Sequence, residues 1–155
     1  MKLLLQLSGF ALLLTTVGSS AVFFLGMWHY HASGWSKLEA AYPLAGPLPS
    51  RRWRFCNAEI GASRRRNSGA AFDIGADAEG IYFAASFPFG FMHKPVFVPW
   101  ADATIAEFYG IIFGQMEMRF RRAPEVPVII SGRVGRAIAE VAGSAWPGSR
   151  KAYEG

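Results

Sequence analysis

Met116-Glu117-Met118-Arg119-Phe120-Arg121 alternates apolar and charged side chains at every position. A period of two belongs to a strand with one face on a core and the other in water, not to a helix. Similar runs lie on either side of it. Downstream, Ala123-Pro124-Glu125 reads as a turn and Val126 to Ile130 as another strand. Upstream, segments rich in aromatic and β-branched residues occupy 52–59, 70–75, 81–87, 96–100 and 103–109, with turn residues such as Asp77-Ala78-Glu79-Gly80 between them. Seven short runs so punctuated predict an antiparallel sandwich or barrel. In the first, Trp53 and Phe55 alternate with arginines and are expected to share a face, with Cys56 beside them as a buried, inert thiol.

Helical patterns bracket the strands. Ser131 stands where it can cap a helix in which Val134, Ile138 and Val141 recur by four and three. Ahead of the strands, Ser36-Lys37-Leu38-Glu39 has capping-box form with Trp35 as the staple, which predicts a short helix from Trp35 to Tyr42. Pro43, Pro47 and Pro49 then end it and make a spacer. The expected organisation is an anchor over 1–31, helix and spacer over 32–50, a mainly β domain with a C-terminal helix over 51–144, and a loosely ordered tail over 145–155.

The anchor is read from length. No charged residue occurs from Leu3 to Trp28, and at ~1.5 Å per residue such a helix is about 39 Å long, more than a ~30 Å hydrocarbon core requires. A cleaved signal peptide ending near Gly18-Ser19-Ser20-Ala21 is the competing reading. Val22 to Trp28 stays apolar beyond that point, and Trp28-His29-Tyr30-His31 reads as an interfacial belt, so a single-pass anchor is expected. Ser8, Ala11, Thr15 and Gly18, with Ser19 alongside, follow the helical spacing and form a small-residue stripe on which another membrane helix could pack. Lys2 and the amino terminus tilt the domain to the periplasmic side of a bacterial inner membrane, although Arg51-Arg52-Trp53-Arg54 pulls the other way.

Seven strands closed by one C-terminal helix resemble the pleckstrin-homology-like fold, including bacterial PH and GRAM-type domains. Gly80-Ile81-Tyr82-Phe83, Lys94-Pro95 and Val98-Pro99-Trp100 are similar to a pattern in small uncharacterised bacterial membrane-anchored proteins. The resemblance implies a PH-like domain on a membrane tether. In such domains the first loop holds basic lipid ligands, and Arg64-Arg65-Arg66 falls there, while Asp73 on the second strand departs from the further basic residues that a specific inositol-phosphate pocket needs.

Chemistry is sparse. One cysteine excludes an internal disulfide framework and CxxC metal or redox sites. G-x-S-x-G, Walker and HExxH patterns are absent, and no cofactor or metal is expected. Gly132-Arg133-Val134-Gly135 echoes the GxxG loop of RNA-binding domains, but a strand runs straight into it, and no nucleic-acid role is expected. His29 and His31 fit interfacial anchoring, and His93 an exposed turn. Asp73, Asp77, Glu79 and Asp102 would make an acid/base site only by converging in the fold. Beyond residue 50, 14 Lys and Arg stand against 10 Asp and Glu, a mild bias that suits anionic lipid or an acidic partner. Phe89, Phe91 and Met92, in a connection where polar residues are usual, are candidate contacts with a partner or lipid. The sequence therefore points to a non-catalytic accessory subunit of a membrane protein complex. An anionic-lipid-binding module and an enzyme of unrecognised type are the alternatives.

Overall fold

The computed structural model describes residues 34–49, 51–61, 70–86, 93–109 and 114–151, with Gly18 and Gly90 as isolated positions. A short helix, α1 (Trp35–Ala41), precedes seven strands, β1 (Arg52–Ile60), β2 (Ala70–Ala76), β3 (Gly80–Ala85), β4 (Val96–Pro99), β5 (Ala103–Tyr109), β6 (Gly114–Phe120) and β7 (Ala123–Ser131). Helix α2 (Gly132–Ala142) and a brief β8 (Ser149–Lys151) follow. The sheet order is β4-β3-β2-β1-β7-β6-β5-β8. β1 to β7 pair antiparallel throughout, and β8 adds in parallel to β5. The protein is thus mainly β with a C-terminal helix, and a segment of the expected loose tail is a strand.

The sheet folds over on itself. Phe83 of β3 and Phe120 of β6 have ring centroids 6.1 Å apart although three strands separate them in the sheet. The inward residues, among them Ile74, Ile81, Val98, Ile105, Met118 and Val128, form one core. β6 buries Met116, Met118 and Phe120 as its alternation predicts, but Glu117 on the charged face is buried too, its Oε1 accepting from Arg119 Nε at 2.6 Å. Ala103–Tyr109 is a strand along its whole length, paired residue by residue with β6. β7 is longer than expected and begins at Ala123, so Pro124 and Pro127 lie inside it. They fall where the ladder to β6 shifts register, between Met118 and Phe120, so their missing N–H groups interrupt no regular pairing. Arg119 fills part of the gap, its Nη1 donating to the Pro124 carbonyl at 3.3 Å.

α2 begins as its cap predicts: Ser131 Oγ accepts from Val134 N at 3.4 Å. Ile138 is fully buried, Val134 and Val141 pack against the core, and the helix lies on β2, β6 and β7. Gly135 belongs to this helix rather than to a loop, and a Cβ there would collide with the Met116 sulfur, so the glycine sets how closely helix and sheet approach.

α1 departs from its expected capping box. It starts at Trp35, no side chain caps it, and its N-cap is Gly34 at φ 84°. Core packing decides this start. Trp35 is 2% exposed and stacks on Phe72 at 5.1 Å, while a Cβ at Gly34 would lie 2.9 Å from Val126, so only glycine suits that turn. Leu38 and Tyr42 are buried as well. The residues that follow are also part of the domain. Pro43 bridges to Val96, Phe97 N donates to the Tyr42 carbonyl and Leu44 N to the Pro95 carbonyl, so this stretch lies along the β4 edge.

Candidate interaction surface

β1 carries the least expected geometry. Its register with β2 runs Trp53 to Ile74 and then Cys56 to Phe72, leaving Arg54 and Phe55 together opposite Asp73. Two residues against one is a β-bulge, and it resets the parity of the strand. Trp53 and Cys56, three apart, therefore both pack against the core. Phe55 is turned out, against the expectation that it shares a face with Trp53. At 66% exposure it is the one large hydrophobic side chain so exposed among the described residues. Its φ of 53° makes it the one non-glycine residue with positive φ among them, in a region that costs an L-residue about 1–2 kcal/mol. Asp73 holds the bulge, its Oδ1 accepting from Phe55 N at 3.2 Å and from Ser86 Oγ at 2.8 Å.

Arg51, Arg52 and Arg54 are all exposed beside Phe55, and none forms an ion pair with a described residue. By register, the outer face of β1 to β4 continues through Ala71 and Ala84 to Tyr82 and Phe97, whose rings lie 4.5 Å apart. Tyr82 is itself buried, and Pro49 lies over Gly75 opposite Arg52, so the open part of this face is Phe55 with Ala71, Arg52 and Arg54 near it. Cys56 lies under it, its Sγ 3.4 Å from the Trp53 carbonyl. Burial, with the Asp73 carboxylate second, pushes the thiol pKa up and disfavours a reactive thiolate.

The other candidates separate. Asp77 closes the β2–β3 turn, accepting from Glu79 N, Gly80 N and the Tyr82 hydroxyl. Asp102 is buried on the other side of Trp100, paired with Arg121 at 2.5 Å and Arg122 at 3.0 Å. Next to it the Tyr42 hydroxyl accepts from Arg122 N, and the Arg122 guanidinium lies 5.2 Å from the Tyr42 ring centroid. Burial raises the Tyr42 phenol pKa and the Asp102 charge adds to that. These contacts tie the segment after α1 to the β6–β7 turn. Asp73, Asp77 and Asp102 each have a separate structural task, Glu79 is exposed in the Asp77 turn, and no group of three metal-ligating side chains occurs among the described residues.

His93 is half-buried, with its ring 5.9 Å from Trp35, rather than an exposed turn residue. A groove of about 430 Å³ lies nearby, between α1 and the start of β4, lined by Ser36, Glu39, Leu44 and Lys94 among others. Arg64, Arg65, Arg66, Phe89, Phe91 and Met92 lie outside the described residues, as do Ser8, Ala11, Thr15, Ser19, His29 and His31; Gly18 is described only as an exposed helical position. No helix among the described residues is long and apolar enough to cross a membrane. The start of β2 after the Arg segment and the end of β3 before the Phe segment are neighbours, Ser86 N donating to the Ala71 carbonyl.

Sequence reasoning missed the Phe55 surface because a two-residue alternation reads the same with or without a bulge. Phe55 with a hydrogen-bonding Asp73 on the next strand was the one available signal. No family model, curated protein or solved structure matches the chain.

Proposed function

We propose that this chain is a non-catalytic, membrane-tethered docking subunit of a bacterial membrane protein complex. An anchor over the uncharged run from Leu3 to Trp28 would hold a PH-like domain at the inner membrane, on the periplasmic side. The observation that carries the reading is the burial of Trp35 against Phe72. Five residues, 29–33, join Trp28 to Gly34, a reach of about 20 Å at ~3.5 Å per residue. The tether therefore enters the domain core directly, and the domain stays close to the bilayer. The order β4-β3-β2-β1-β7-β6-β5 followed by a C-terminal helix supports the PH-like reading. The structural contacts that take up Asp73, Asp77 and Asp102 favour docking over hydrolysis.

The test is expression of the full chain, alkaline washing of the membranes and purification in mild detergent. The intact chain should stay in the washed membrane and carry a stoichiometric membrane protein through purification. A mature chain beginning near Val22, or one released by the wash, removes the tether. A retained chain that purifies alone removes the subunit role. Replacing Ala11 and Gly18 by Leu should weaken the association without preventing insertion.

A further inference from the structure

We propose that the outer face of β1, through Phe55, Arg52 and Arg54 with Arg51 just ahead of the strand, lies on the anionic surface of the membrane that holds the chain. The inference rests on the tether reading above and extends it to a specific contact. Three observations converge on it. Phe55 is two-thirds exposed and held in a left-handed conformation that glycine or asparagine would adopt with less strain, so folding alone does not account for a phenylalanine there. Arg52 and Arg54 on the strand and Arg51 just ahead of it are exposed and have no carboxylate partner among the described residues, and the adjacent Asp73 is engaged by Phe55 N and Ser86 Oγ. An aromatic ring for the headgroup boundary beside guanidinium groups for phosphate is the chemistry of an anionic bilayer surface.

Position selects lipid over a protein partner. Phe55 is opposite Asp73, one residue along β2 from Phe72, and Trp35 at the end of the tether stacks on Phe72 from within. The tether enters at Gly34, against Val126 of β7, and a five-residue linker that reaches about 20 Å keeps the domain beside the bilayer. The neighbouring Ala71 and Ala84 leave the surface low enough for Phe55 to project from it.

The experiment uses the full chain reconstituted in phosphatidylcholine vesicles with or without phosphatidylglycerol. The photo-cross-linking residue benzoylphenylalanine is placed at position 55, or at exposed Ala101 as the control. Position 55 should give lipid adducts severalfold above position 101 in anionic vesicles. The yield should fall severalfold without phosphatidylglycerol, or when Arg51, Arg52 and Arg54 are all changed to Gln. Equal yields at the two positions, or adducts at 55 to a protein in native membranes instead of lipid, overturn the proposal. Phe55→Asn should keep or raise the unfolding midpoint, and a lowered midpoint would place the side chain in the core and also overturn it. Release of the chain by alkaline washing sinks the tether reading and this inference together; retention without lipid adducts sinks only the inference.

Discussion

Single residues show how much of this fold is held by hydrogen-bonded carboxylates rather than by surface ion pairs. The Tyr82 hydroxyl donates to Asp77 Oδ2 at 2.8 Å. Burial first, then that bond and the charges of Asp77 and Glu79, push the phenol up to about 12. The sign follows from the ionised form. Below the ordinary tyrosine value of ~10 the phenol is neutral in both states, and between there and about 12 only the unfolded chain ionises, so stability falls as pH rises. Tyr82→Phe should cost about 1 kcal/mol at neutral pH and flatten the decline above pH 10. Denaturant titrations at a series of pH values measure both, and parallel decline in variant and wild type would exclude Tyr82 as the cause. The lesson from sequence is mixed at this scale. Met116, Met118 and Phe120 were legible because nothing interrupts their alternation, whereas Phe55 was misplaced because backbone dihedrals, not side-chain type, decide where a bulge falls.

Among the elements, the strands and the first helix were readable, and only the cap of that helix was misjudged. Ser131 announced α2 through its own hydroxyl, and Val134, Ile138 and Val141 marked its inner side. For α1 the pattern Ser36 to Glu39 suggested a self-contained cap, but the burial of Trp35 outweighs a cap worth about 1 kcal/mol. Trp35→Ala should therefore destabilise the whole domain by about 3 to 5 kcal/mol, as loss of a large buried aromatic does. Lys37→Ala on the same helix should matter little, since its 3.1 Å pair with Glu125 is more than half exposed on both sides. Urea unfolding of the detergent-solubilised chain separates the two. Equal, small effects would return α1 to the status of a spacer.

For the whole molecule, the order of strands could not be read from the sequence, because alternation specifies faces and says nothing about neighbours. The expected contact residues Arg64 to Arg66, Phe89, Phe91 and Met92 lie outside the described residues, and the exposed aromatic among the described ones is Phe55 on β1. Tether length then becomes a variable to test. Inserting about ten Gly/Ser residues between 33 and 34 roughly triples the linker, and local concentration at the bilayer should fall about fivefold by the −3/2 power of length. Lipid cross-linking from position 55 should drop accordingly while membrane retention is unchanged; a constant yield would mean the linker does not set the contact. One further consequence concerns crowding. Proteins confined to a membrane meet their own copies far more often than in solution, and an open sheet border invites copy-to-copy ribbons. Here the Tyr42–Leu44 segment, with Pro43 at its centre, occupies the β4 border, and β8 takes the border at β5. On the proposed tether, this Pro43-centred segment and β8 would guard the domain against polymerising with its neighbours in the plane of the bilayer.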